Sequence, residues 1–148
     1  MIEIDERLIE ELLEEASVSP RLRQNRDLRT TPDDGSQRML NALLPETTVP
    51  IHRHPNSTET VILLRGKIVE VMYEEVNPSV EFPQGMDAQD VMSGRRLREV
   101  ARYVLDCSKG CHGCVVPKGT WHTVEVMEPS VIFEAKDGRY GEDGSENW

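Results

Sequence analysis

Apolar and polar positions along this chain follow two different periods. Between residues 5 and 17, Leu8, Ile9, Leu12, Leu13 and Ala16 recur at i, i+1, i+4, i+5 and i+8, the stripe of an amphipathic helix. Asp5 stands where an N-cap is needed, acids fill the first turn, and Ser19-Pro20 closes the segment. Residues 18–35 lose the pattern. They are polar and rich in arginine, close with Thr31-Pro32-Asp33-Asp34-Gly35, and predict an extended arm or loop. From residue 36 the period falls to two. Runs with β character lie near 37–44, 48–54, 59–65, 67–74, 98–106, 112–116, 121–127 and 131–136. Turn residues separate them at Pro55-Asn56-Ser57, Arg65-Gly66-Lys67, Asn77-Pro78-Ser79, Ser108-Lys109-Gly110, Pro117-Lys118-Gly119 and Glu128-Pro129. Many short strands after one helix argue for a small all-β sandwich or barrel. The segment 77–97 is polar and weakly patterned, as expected of a long loop. The acidic, glycine-rich end predicts a tail that is mobile or pinned only locally. The expected division is a helix and arm over 1–35, a barrel over 36–138 and a tail over 139–148.

Composition narrows the partners. The chain has 148 residues, enough for one domain with one core. Seventeen Lys and Arg against 27 Asp and Glu give a net charge of −10, which repels phosphate backbones and anionic lipid. Nucleic acid and membranes are therefore not the expected partners. No apolar run nears the ~20 residues of a membrane span, and the first residues lack the basic and apolar regions of a signal peptide, so a cytoplasmic protein is expected. Cys107, Cys111 and Cys114 are odd in number and tightly clustered, unlike a secreted disulfide framework.

The candidate chemistry lies in two blocks. His52-Arg53-His54 is followed by four residues, Glu59, six residues and Gly66; far downstream comes Pro117-Lys118-Gly119-Thr120-Trp121-His122. On a strand, i and i+2 share a face, so His52 and His54 point together while Arg53 points away. After the turn at Pro55–Thr58, Glu59 can reach that face, with Val61 and Leu63 inward behind it. His122 leads a similar face with Val124 and Val126. Three imidazoles and one carboxylate suit one divalent transition metal, with Fe, Zn, Mn and Ni all admissible; a closed structural zinc site more typically recruits thiolates.

Residues 52–66 match the first cupin motif, HxH-x4-E-x6-G, and 117–122 match the core of the second, PxGxxH. The chain resembles a single-domain cupin, and in particular the WbuC-type cupin fold metalloproteins. That likeness takes in the opening helix, Ser19-Pro20-Arg21, Gln37–Leu43, Pro50–His54, Thr120–Thr123 and Phe133–Lys136. It implies an all-β double-stranded β-helix, or jelly-roll, barrel carrying an N-terminal α-helix, with His52, His54, Glu59 and His122 on a metal in its mouth. It also implies a link to surface polysaccharide. Two positions depart from the general pattern: Glu46 stands where the first motif opens with Gly, and Val126 where the second ends with Asn. Neither is a ligand position.

Other side chains have paired readings. Gln37 and Asn41 share one face of their strand and Arg38 takes the other. An inward Arg38 would suit a substrate carboxylate or phosphate, and an outward one a salt bridge. Arg21, Arg23 and Arg26 either cover the barrel mouth and read an anionic sugar nucleotide, or offset surface acidity, or pack at a dimer interface. Cys111-His112 and Cys114 read as structural rather than as a zinc or redox pair. Tyr73, Tyr103 and Trp121 read as packing residues. The helix stripe lies either on its own barrel or on a partner, and a homodimer is expected. The leading function is a metal-dependent enzyme of dioxygenase or isomerase type acting on a small chelating molecule. The alternatives are a metal-dependent small-molecule binding or sensing module without turnover, and a degenerate enzyme that keeps its metal for structure.

Overall fold

The computed structural model describes residues 1–31, 33–76, 96–139 and 141–148. A helix, α1 (Glu6–Val18), precedes ten strands. They are β1 (Arg23–Asp27), β2 (Ser36–Leu43), β3 (His52–Arg53), β4 (Glu59–Arg65), β5 (Lys67–Val76), β6 (Arg96–Asp106), β7 (Gly113–Val116), β8 (Trp121–Val126), β9 (Ser130–Asp137) and β10 (Glu146–Asn147). They form two five-stranded sheets, ordered β1-β2-β9-β4-β7 and β10-β3-β8-β5-β6. Every ladder joining these strands is antiparallel. This is the expected jelly-roll arrangement of two facing sheets.

The helix forms where its stripe predicts. The Asp5 carboxylate accepts from the Leu8 amide at 2.9 Å, satisfying one of the orphan donors of the first turn. Leu8, Ile9, Leu12 and Ala16 are buried against Leu40, Ala42 and Val131, so the stripe lies on its own barrel. Each leucine, isoleucine or valine covered this way contributes roughly 1.5–3 kcal/mol. Salt bridges clamp the flanks: Arg65 reaches Glu6 and Glu10, and Arg26 reaches Glu11 and Glu15.

A second core lies between the sheets, built from Leu43, Val61, Leu63, Ile68, Leu105, Val124 and Ile132. β2 and β9 are therefore covered on both faces. Leu40 and Ala42 of β2, with Val131 and Phe133 of β9, face the helix. Met39, Asn41 and Leu43, with Ile132, Glu134 and Lys136, face the interior. Gly66 turns the chain from β4 into β5 at φ 89°, and a Cβ there would lie 2.3 Å from Ser130 Oγ and 2.4 Å from the Pro129 carbonyl. No other residue fits that turn.

Two expectations are sharpened and one is corrected. Within the extended arm or loop expected over 18–35, Arg23–Asp27 is a strand, β1, that pairs with β2 along its whole length. Of the two readings of the chain end, mobile or pinned locally, the pinned one is observed: β10 pairs with β3 and the Trp148 amide donates to the Ile51 carbonyl at 2.9 Å. The strand expected over 48–54 shrinks to His52–Arg53, since Pro50 has no N–H for a ladder. The expected loop over 77–97 falls outside the described residues as far as 95; Arg96 and Leu97 already belong to β6. No helix among the described residues is long and apolar enough to cross a membrane.

Candidate metal centre

β3 and β8 place His52 directly opposite His122. His54 follows β3 and Glu59 opens β4. The two motifs are also tied through the backbone, the Gly119 amide donating to the His54 carbonyl at 2.9 Å. One ligand atom from each of His52, His54, Glu59 and His122 falls within 4.8 Å of all the others. In octahedral coordination at about 2.1 Å, cis donors sit roughly 3 Å apart and trans donors roughly 4.2 Å apart, so the four could hold one metal ion. Glu59 Oε2 lies 3.3 Å from His122 Nε2 and 3.4 Å from His54 Nε2, both near the cis spacing.

The surroundings aim the rings. His52 Nδ1 lies 2.9 Å from the Pro50 carbonyl and His122 Nδ1 lies 3.0 Å from that of Thr120. A Nδ1–H donated to a carbonyl fixes the tautomer and leaves Nε2 for the centre. Burial, then the neighbouring His122, pushes His52 down to about 4, so it stays a neutral imidazole at pH 7. Burial opposes charge on His122, but its hydrogen bond with Glu59 and the nearby Glu70 outweigh this and raise it. Burial likewise opposes charge on Glu59, yet His122, His54 and Lys136 hold it well below the usual carboxylate range.

His54 rests on the end of the chain. Its Nδ1 lies 2.7 Å from Ser145 Oγ and 3.2 Å from Asp143 Oδ2. Lys136 Nζ sits 2.9 Å from Asp143 Oδ2 and 3.2 Å from His54 Nε2. Burial would raise Asp143, but Ser145 and Lys136 hold it down at about 2. Asp143 thus offsets the ammonium flanking the cluster, and the donor set remains compatible with a divalent ion.

The cluster forms the floor of a cavity of about 320 Å³. Gln37 and Asn41, which share one face of β2, both line it. Arg38 does not: it stands on the opposite face, paired with Asp34, so the outward reading of Arg38 is the one observed. Arg21 and Arg23 line the cavity, whereas Arg26 turns to the helix. Tyr73 and Tyr103 are not among the lining residues. Trp121 is buried beneath the Arg53 guanidinium, 4.5 Å from its ring, and donates to Glu75 at 2.8 Å. Cys107, Cys111 and Cys114 are free thiols; burial pushes Cys114 up to about 12, a packed thiol rather than a thiolate.

Three lining residues were not singled out from sequence. Glu70 is fully buried, and neither of its carboxylate oxygens has a hydrogen-bond partner. Oε1 lies 4.0 Å from His122 Nε2, and burial raises the group to about 7. Glu134 accepts from Asn41 Nδ2 at 2.8 Å, and burial followed by the Glu59 charge raises it to about 8. Lys136 is the third. Their signal was parity: Glu70 interrupts the otherwise apolar run Ile68–Met72, and Glu134 and Lys136 share a face with Ile132.

The family described as "Domain of unknown function (DUF6016)" matches residues 4–81, just over half of the chain. The chain belongs to that family. No curated protein matches it. Among solved structures, this DUF6016 member is similar to an oxalate oxidase in complex with the substrate analogue glycolate, at 16% identity and a TM-score of 0.54. The match covers 88% of this chain but 57% of that one, so the chain spans little more than half of that protein. It is also similar to a cupin 2 domain-containing protein from Halorhodospira halophila, at 13% identity and a TM-score of 0.50, covering 85% of this chain and 68% of that one. These likenesses establish the cupin-type fold.

Proposed function

We propose that this protein is a mononuclear metal-dependent cupin that acts on a small chelating molecule, with His52, His54, Glu59 and His122 as the ligands. One observation carries the reading: four donor atoms within 4.8 Å of one another form the floor of a cavity large enough for a small organic ligand. A divalent ion held there supplies a Lewis-acid centre that polarises an oxygen of the bound molecule. Fe, Zn, Mn and Ni all suit the ligand set.

Catalysis of dioxygenase or isomerase type is favoured over a binding or sensing module by Glu70 and Glu134. These two cavity carboxylates lie outside the ligand set, and burial raises the proton affinity of each above that of an ordinary glutamate. Asn41 orients Glu134, the buried Glu70 can accept a hydrogen bond from a bound hydroxyl, and Val61, Val124 and Ile132 keep that part of the cavity dry. Glycolate in the oxalate oxidase structure is a small hydroxy acid, the kind of molecule that chelates through a hydroxyl and a carboxylate. A carbohydrate or sugar-nucleotide substrate is what the WbuC-type resemblance suggests. The homodimer is proposed through the edge strand β6, where Val100, Tyr103 and Val104 are about half exposed.

The test is elemental analysis of purified protein, followed by oxygen-uptake and product assays on a panel of hydroxy-carbonyl compounds. Wild type is expected to hold about one transition-metal ion per chain and His52→Ala/His122→Ala essentially none. Full occupancy in that variant removes the reading. Ligand binding without turnover favours the module instead. Sedimentation of wild type against Val104→Lys checks the dimer.

A further inference from the structure

The cavity has a second charged region on its more exposed side, where Arg21 is exposed and Arg23 partly buried. β1 lies antiparallel to β2 with Arg23 opposite Leu43 and Asn25 opposite Asn41. Directly opposed residues share a face, and Leu43 and Asn41 both line the cavity. Arg23 therefore belongs to the cavity face, whereas Arg26, opposite Leu40, belongs to the helix face. Arg21 joins Arg23 at the lining.

Between them Leu22 has φ 53°, the left-handed region that costs a non-glycine residue about 1–2 kcal/mol. The kink is held at three points: the Leu22 amide donates to the Ser19 carbonyl, the Leu44 amide to the Leu22 carbonyl, and Thr47 Oγ1 to the Arg21 carbonyl at 2.7 Å. The chain thus keeps a strained residue where it carries both guanidinium groups to the cavity lining.

Charge makes the pair stand out. The chain has ten more acids than bases, and Arg26, Arg38, Arg53 and Arg65 all pair with carboxylates. Neither Arg21 nor Arg23 is in a salt bridge with any described residue. Facing the same space, Gln37 is 2% exposed and its amide oxygen is buried without a partner. A buried, unpartnered acceptor of this kind awaits a donor such as a ligand hydroxyl.

We propose that Arg21 and Arg23 form an anion subsite, so that the ligand is a small hydroxy or oxo acid with two anionic ends. The first end chelates at the His–Glu floor, and the second, a carboxylate or a phosphate, pairs with the two guanidinium groups. The inference rests on the metal reading above and adds the ligand class to it. Planar guanidinium forks suit both anions through paired hydrogen bonds.

The experiment is calorimetric titration of metal-loaded full-length protein with two matched pairs of probes. 2-Oxoglutarate is compared with 2-oxopentanoate, and 3-phosphoglycerate with glycerate. Within each pair the chelating end is constant and only the distal anion differs. Wild type is expected to prefer at least one probe with a distal anion over its partner by tenfold or more. Arg21→Ala/Arg23→Ala is expected to lose that preference while keeping its metal content, its melting temperature and its affinity for the monoanionic partner. Which pair discriminates decides between carboxylate and phosphate. Should metal-loaded wild type bind none of the four, show no preference, or keep its preference in the double variant, the subsite is overturned and the metal reading stands. A wild type that takes up no metal overturns the metal reading itself, and elemental analysis separates that case.

Discussion

The floor and the rim of the cavity are built in opposite ways. The floor is local: His52, His54 and Glu59 lie within eight positions, and His122 joins them across one strand pairing. The rim comes from the two ends of the chain, with Arg21 and Arg23 at one edge of the first sheet and Ser145 and Asn147 at one edge of the second. The ends are not mere covering. Asp143 and Ser145 touch the ring of His54, and Arg53, whose neighbours are candidate ligands, reaches out to Glu146 at 2.6 Å. The rim therefore buttresses the floor, and the site spans nearly the whole chain.

Breaking the turn that follows the strand opened by Glu59 has the largest expected effect. Gly66→Ala combines a positive φ with a collision against backbone and Ser130, and is expected to lower stability by about 3–4 kcal/mol. Urea unfolding measures it, and a loss below about 1 kcal/mol would show that the turn can relax. Next comes the link between the two regions. Asp143→Asn leaves the buried Lys136 ammonium without its nearest carboxylate, at about 3 kcal/mol, and should weaken metal affinity through His54. If stability falls but metal affinity does not, the rim supports the fold and not the floor.

Glu134 gives a pH signature confined to the floor. Folded protein holds this proton up to about 8, whereas the ordinary value is 4.5. Between those limits the unfolded chain binds fewer protons than the folded one, so metal-free protein should lose stability as pH rises from about 4.5 towards 8. Glu134→Gln should remove its share of that slope and leave the part that Glu70, raised to about 7, contributes below that pH, as thermal melts across the range can check. The smallest effect sharpens the comparison outside both regions. Glu46, standing where the cupin motif carries glycine, has φ 76°, and Glu46→Gly is expected to raise stability by about 1 kcal/mol.

The floor was legible because strand parity and turn residues leave few ways to read an HxH block followed by Glu59 and Gly66. The helix was legible from one stripe, since a single apolar face met a single apolar surface. β1 and β10 were not. Arg23–Asp27 and Glu146–Asn147 are polar on both faces, because one side of each faces the cavity or solvent and β1 meets the helix through Arg26 and the carboxylates of Glu11 and Glu15. Only pairing partners far away in sequence make them strands. Glu70, Glu134 and Lys136 were missed for a related reason: a charged residue in a strand reads as solvent-facing until the enclosed cavity is known.

β2 carries a consequence of its own. Leu40 and Ala42 press on α1 while Met39 and Asn41 look into the cavity, so one strand is the back wall of the binding space and the bed of the helix. Enlarging Ala16 or Ala42, both fully buried, would push that partition inward from behind. Ligand preference could then be retuned by substitutions that never contact the ligand, with the coordinating side chains left untouched.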